Sequence, residues 1–118
     1  MRRFFRSPVL RLRCPSGEVV DAWVATAFAS RLLGIAFARE LPRGRALLIP
    51  DCRSIHTFGM RLPLDVVFLR GTAAVDVRAH VHPLRLVGCA VGGVGALELG
   101  AGEAGRLGIE PGRPLRPL

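Results

Sequence analysis

Leu64 to Leu69 is apolar at every position except Asp65. The run is too short for a buried helix and carries Val66, Val67 and Phe68, so it reads as a strand covered on both faces. A strand of that kind cannot be stable alone. Its two faces must be buried by the rest of the chain, and the flanking sequence supplies strand after strand to do it. Val9 to Cys14 alternates apolar residues with arginine, the period of a half-buried strand. Pro15 to Glu18 is a turn and Val19 to Val24 a returning strand.

Ala46 to Ile49 is a further strand, closed by Pro50-Asp51, and Ile55 to Arg61 is extended. Arg70-Gly71 turns the chain into an alternating strand over Ala73 to Val81. Leu84 to Val91 and Val94 to Leu99 are separated by Gly92-Gly93. Two segments change period. Ala25, Phe28, Ala29 and Leu32 follow helical spacing, with Thr26 as cap and Gly34 as the residue that ends the helix. Ala101 to Leu107 makes a second short helix, closed by Gly108. Glu110-Pro111-Gly112-Arg113 suits a type II turn. The proline-rich tail cannot be a central strand. The expected fold is therefore mainly β (α+β): about seven short strands and one or two short helices in a compact sandwich or open barrel. Residues 1–118 make one domain, with a core over about 9–115, because 118 residues bury one core and not two.

The net charge is +8, carried by 17 arginines with no lysine. Asn, Gln and Tyr are absent too, which fits a compositional bias toward Gly, Ala, Arg and Pro. The arginines run from Arg2 to Arg116 without a clustered stripe, which argues against nucleic acid as the partner. Cys14, Cys52 and Cys89 are odd in number and form no CxxC, so reduced, buried thiols are expected. The start MRRFFRSPVLRLR has no apolar core of a signal peptide, and no 18-residue apolar run occurs. A cytoplasmic chain with no membrane span is the expectation.

Polar and reactive side chains concentrate between Cys52 and Asp65. Asp65 begins an apolar strand, so its carboxylate needs a defined partner. Backbone N–H groups around Pro63, or Arg61, would serve a structural role; a raised pKa would serve acid–base chemistry. Glu98, between Leu97 and Leu99, poses the same question, and the two acids could share a pocket. Cys52, His56 and Met60 have the donor types of a soft-metal site, but four strand residues span about 13 Å, too far for shared coordination. His80 and His82 are spaced for a common face of a strand yet lack a third ligand nearby. A Cys52–His56 nucleophile lacks an elbow motif. Gly92 to Gly95 lacks the lysine and strand–loop–helix order of a phosphate loop. No metal or cofactor is expected.

The helix ending Arg31-Leu32-Leu33-Gly34, the block Phe58-Gly59-Met60-Arg61-Leu62-Pro63-Leu64-Asp65-Val66-Val67-Phe68, and Leu97-Glu98-Leu99-Gly100-Ala101-Gly102 followed by Gly108 to Gly112 occur in that order. Over roughly positions 9 to 115 the chain resembles the bacterial and archaeal family known as domain of unknown function 192. The resemblance implies a small, mainly β, sandwich-like protein with no established reaction. Where the family has a Trp-Met-Lys-Asn-Thr run, this chain has His56 to Met60, and Arg113 stands where an Asp often follows the last glycine.

Three functions are consistent with these residues. The leading one is a noncatalytic binding or accessory module that holds a small ligand or a protein near His56, Thr57, Arg61 and Asp65, with Glu98 as a further contact. The second is a hydrolase-like enzyme using Asp65 or Glu98 with His56. The third is an arginine-rich nucleic-acid binder. The first two are separated by whether His56, Asp65 and Glu98 meet in space.

Overall fold

The computed structural model describes residues 9–25, 41, 43–57 and 62–118. Among them are nine strands and one short helix. Seven strands form one curled half-barrel sheet, so of the two expected architectures the open barrel describes the molecule. The strands are β1 (Val9–Arg13), β2 (Val19–Val24), β3 (Arg45–Ile49), β5 (Leu64–Arg70), β6 (Ala73–Val81), β8 (Gly95–Gly100) and β9 (Arg116–Pro117), in the order β6-β5-β8-β3-β2-β1-β9. β4 (Ser54–His56) and β7 (Leu86–Gly88) form a separate two-stranded ribbon. The helix α1 spans Glu103–Arg106.

All sheet pairs are antiparallel except β2 with β3. A parallel pair needs a long crossover. That crossover runs through 26–40, so the helix expected over Ala25 to Leu33 lies outside the described residues beyond Ala25. Arg61 and the end of the extended segment also lie outside them.

β5 has strands on both sides and buried residues from Leu64 through Leu69. Its side chains divide by alternation. Val67 and Leu69 join Leu97, Leu99, Leu12, Val20 and Leu107 on one face, beneath α1. Leu64, Val66 and Phe68 join Ala96, Ile55 and Val87 on the other, beneath the β4–β7 ribbon. A smaller cluster of Trp23, Ala25, Leu47 and Ile49 continues that second face.

Two expectations change. The strand over Leu84 to Val91 shrinks to Leu86–Gly88. Leu84 after Pro83 has φ 63, and the Arg85 N–H donates to the Thr57 hydroxyl, so the chain turns there instead of pairing. The alternation over His80 and His82 is also broken. β6 carries an extra residue between its partners of Leu64 and Val66, and His80 sits in that bulge at φ 53. The turn at Glu110 to Arg113 forms as read, with Gly112 at φ 86 and the Arg113 N–H donating to the Glu110 carbonyl at 3.1 Å. The tail makes only the edge strand β9, as its prolines require.

Candidate functional site

Asp65 is fully buried. Its partners are backbone N–H groups, but not those around Pro63. Oδ1 accepts from the His80 N–H at 2.9 Å, and Oδ2 accepts from the Ala104 N–H at 2.8 Å. Both donors are orphans of local structure. His80 occupies the β6 bulge, where the ladder leaves a residue unpaired. Ala104 lies in the first turn of α1, whose N-cap is Gly102 and has no side-chain cap. One carboxylate therefore ties β5 to the bulge in β6 and to the start of the helix.

Thr57 is likewise buried and engaged. Its hydroxyl donates to the His82 carbonyl at 2.7 Å and accepts from the Arg85 N–H at 2.8 Å. Those bonds hold the 82–85 turn against β4. His56 is exposed on the β4–β7 ribbon, opposite Leu86. Its neighbour Ile55 points the other way, into the core. Arg61 lies outside the described residues.

Glu98 differs from all of these. It is only 5% exposed, and its Oε2 is buried without a hydrogen-bond partner. Among the described residues no other buried side-chain nitrogen or oxygen stands so. The strand register explains its surroundings. Trp23 is opposite Leu47, Leu47 is opposite Glu98, and Glu98 is opposite Val66. These residues form one row across the second face of the sheet, with neighbouring Cβ atoms about 4.5–5.5 Å apart where the strands are antiparallel. The row crosses from the Trp23 cluster to the Phe68 cluster, and Leu41 and Cys52 pack against both. Two cations flank the row: Arg45, whose guanidinium lies over the Trp23 ring at 5.4 Å, and Arg78, opposite Val66 and two strands from Glu98. Arg45 is paired with Asp21 at 3.6 Å and Arg78 with Asp76 at 3.1 Å.

Its neighbours among the described residues are apolar and give it no ion pair, and burial pushes the Glu98 carboxyl up from 4.5 to about 8. At neutral pH it is chiefly the neutral acid. Such a group offers one O–H donor and one carbonyl acceptor to whatever reaches it.

The two acids do not share a pocket. β5 and β8 place Asp65 opposite Leu99 and Glu98 opposite Val66, so the carboxyl groups point to opposite faces of the sheet. His56 lies on the outer side of the ribbon. The constellation of acid and imidazole that the enzyme reading needs is not assembled. Among the described residues no three His, Cys, Asp or Glu side chains come together in a metal-holding group. None of Cys14, Cys52 and Cys89 is in a disulfide.

Sequence reasoning picked out Asp65 and Glu98 but not their settings. The His80 and Ala104 amides that Asp65 binds, and the Leu47 and Val66 side chains that flank Glu98, depend on strand register. Alternation alone does not carry register between strands far apart in the chain.

Two solved structures are similar to this one. A protein of unknown function from Novosphingobium aromaticivorans DSM 12444 matches with a TM-score of 0.76 at 24% identity, over 92% of this chain and 83% of its own. A protein from Sinorhizobium meliloti 1021, described as "a putative transcription regulator", matches with a TM-score of 0.76 at 22% identity, over 92% of each chain. At such identity the likeness is one of fold. No functionally curated protein matches the chain. The family model DUF192, described as Uncharacterized ACR, matches residues 12–117. That match spans nearly the whole β scaffold, from the end of β1 to β9, and the chain belongs to the DUF192 family.

Proposed function

We propose that this domain is a noncatalytic binding module, and that its ligand is a small molecule or a partner segment presenting a hydrogen-bonding group to Glu98. The observation that carries the reading is the buried, unpartnered Glu98 Oε2. An unsatisfied polar atom costs about 1–3 kcal/mol, so a fold that keeps one gains when a ligand satisfies it. A neutral carboxyl complements an amide, which returns both a donor and an acceptor. In this reading Asp65 and Thr57 are scaffold, because every bond they make fastens backbone. His56 is left as a contact at the rim.

The enzyme alternative loses support from the separation of Asp65, His56 and Glu98. The nucleic-acid alternative has one prompt, the description of the Sinorhizobium meliloti protein. Against it, Arg11, Arg43, Arg45, Arg78 and Arg106 are each within ion-pair distance of a carboxylate.

The test is a titration of carboxyl-labelled protein with small amides and primary amines, followed by NMR at Glu98, Leu47 and Val66. Saturable shifts that disappear in Glu98→Gln are expected. No response at those residues to any compound would refute the reading. Turnover of an ester or amide substrate that is lost in Glu98→Gln would replace it with the enzyme. Steeply salt-dependent binding of duplex DNA at low ionic strength, with no response to the small compounds, would replace it with the nucleic-acid reading.

A further inference from the structure

A cavity of about 370 Å³ lies at the β1–β9 edge, three strands across the sheet from Glu98. Its walls include Arg13, Arg113 and Arg116, with Cys14, Gly17 and Gly112, and no acidic residue lines it. Arg13 and Arg116 are direct cross-strand partners. Like charges placed opposite each other in an antiparallel pair repel. Among the described residues no carboxylate is within ion-pair distance of either one. Arg13 donates to the Gly17 carbonyl at 2.8 Å, which anchors its guanidinium without neutralising it. Arg113 and Arg116 make no side-chain hydrogen bond or ion pair among the described residues. Glu18 and Glu103, the acids that act on Cys14, are both engaged by Arg106.

Three uncompensated guanidinium groups around one cavity are a local excess of positive charge that an anion would remove. We propose that this cavity binds a small phosphorylated ligand, its phosphoryl oxygens bridging Arg13, Arg113 and Arg116. The volume falls in the range of small-molecule sites, about 300–1,000 Å³. Guanidinium forks match phosphoryl oxygens in bidentate geometry. The sequence spacing hides the cluster. Arg13 and Arg116 are at opposite ends of the chain, and only the pairing of β1 with β9 brings them together.

Calorimetry of the full chain with inorganic pyrophosphate tests the site, with citrate as a carboxylate of comparable charge and a short DNA duplex as the polymeric phosphate. All are measured at one fixed ionic strength. Saturable pyrophosphate binding is expected, with citrate weaker. The double variant Arg113→Gln/Arg116→Gln should weaken pyrophosphate by about tenfold or more, the scale of losing charged contacts. Both positions are exposed, and an unchanged melting midpoint verifies the fold. The double variant Arg70→Gln/Arg85→Gln removes the same charge elsewhere and should retain wild-type affinity. Absent binding, or equal weakening by both double variants, overturns the proposal. Citrate binding as tightly as pyrophosphate overturns the phosphoryl assignment. DNA binding far tighter than pyrophosphate, through the same arginines, overturns the small-molecule assignment.

Discussion

Replacing Asp65 by asparagine removes a charge and almost no volume, which isolates what its two hydrogen bonds do. In the native protein each carboxylate oxygen faces a backbone N–H, His80 on one side and Ala104 on the other. Asparagine keeps one acceptor and turns the other position into an N–H₂ facing an N–H. A hydrogen bond to a charged group contributes about 1.5–3 kcal/mol, and the buried Ala104 donor is then left without a partner or the His80 donor is. The expected loss for Asp65→Asn is about 2–3 kcal/mol. Asp65→Ala loses both bonds and should cost about 3–5 kcal/mol, the range for stripping a buried charge contact. For a domain of about 5–15 kcal/mol total stability that is a large fraction. Urea unfolding gives the midpoint and slope, and hydrogen exchange reports the His80 and Ala104 amides separately. Faster exchange at those two amides with a lower midpoint is the expected result. A midpoint for Asp65→Asn equal to wild type would refute the clamp and return Asp65 to the list of functional residues.

Phe68→Ala should cost about 3–5 kcal/mol, because Phe68 is fully buried under the β4–β7 ribbon and its removal leaves a cavity; an unchanged melting midpoint would show the core is misassigned. Cys14 should resist alkylation at pH 8 in the folded protein, since burial first, and then Glu18, pushes its thiol up to about 11; labelling as fast as in urea would contradict that. Stability should also fall as pH rises. The folded carboxyl of Glu98 keeps its proton up to about 8, while the unfolded chain releases it near 4.5. The folded state is therefore most favoured below 4.5 and loses that advantage up to about pH 8, a limit of about 5 kcal/mol at 1.36 kcal/mol per pH unit. Glu98→Gln should be flatter over that interval and more stable than wild type above it; parallel curves for the two proteins would refute the assignment.

Local pattern carried much of the fold. β5 is legible because a run that is apolar but for Asp65, bounded by Pro63 and Arg70-Gly71, has few other ways to be buried. The β1–β2 hairpin is legible from alternation and the Pro15 to Glu18 turn. What pairs with what is not. The parallel β2–β3 contact, the placement of β8 between β5 and β3, and the return of the tail to β1 are decided by how seven strands close one curled sheet. The candidate site divides along the same line. That Asp65 and Glu98 need explanation follows from a charge within an apolar run. That one is satisfied twice while the other keeps an unpartnered oxygen follows from a bulge, a helix start and a strand register, each set by residues 15 to 51 positions away. The arginine cluster is invisible for the same reason.

The state of the Glu98 carboxyl is the most direct measurement of the account. Carbon-13 NMR of the side-chain carboxyl, followed from pH 3 to pH 10 with Glu98→Gln for assignment, reads it without any ligand. A midpoint close to 8 is predicted, because the group is buried among Leu47, Val66 and Ala96 and makes no ion pair among the described residues. A midpoint near 4.5 would mean that water or a cation already reaches it. The unpartnered oxygen, and the binding function built on it, would then be wrong.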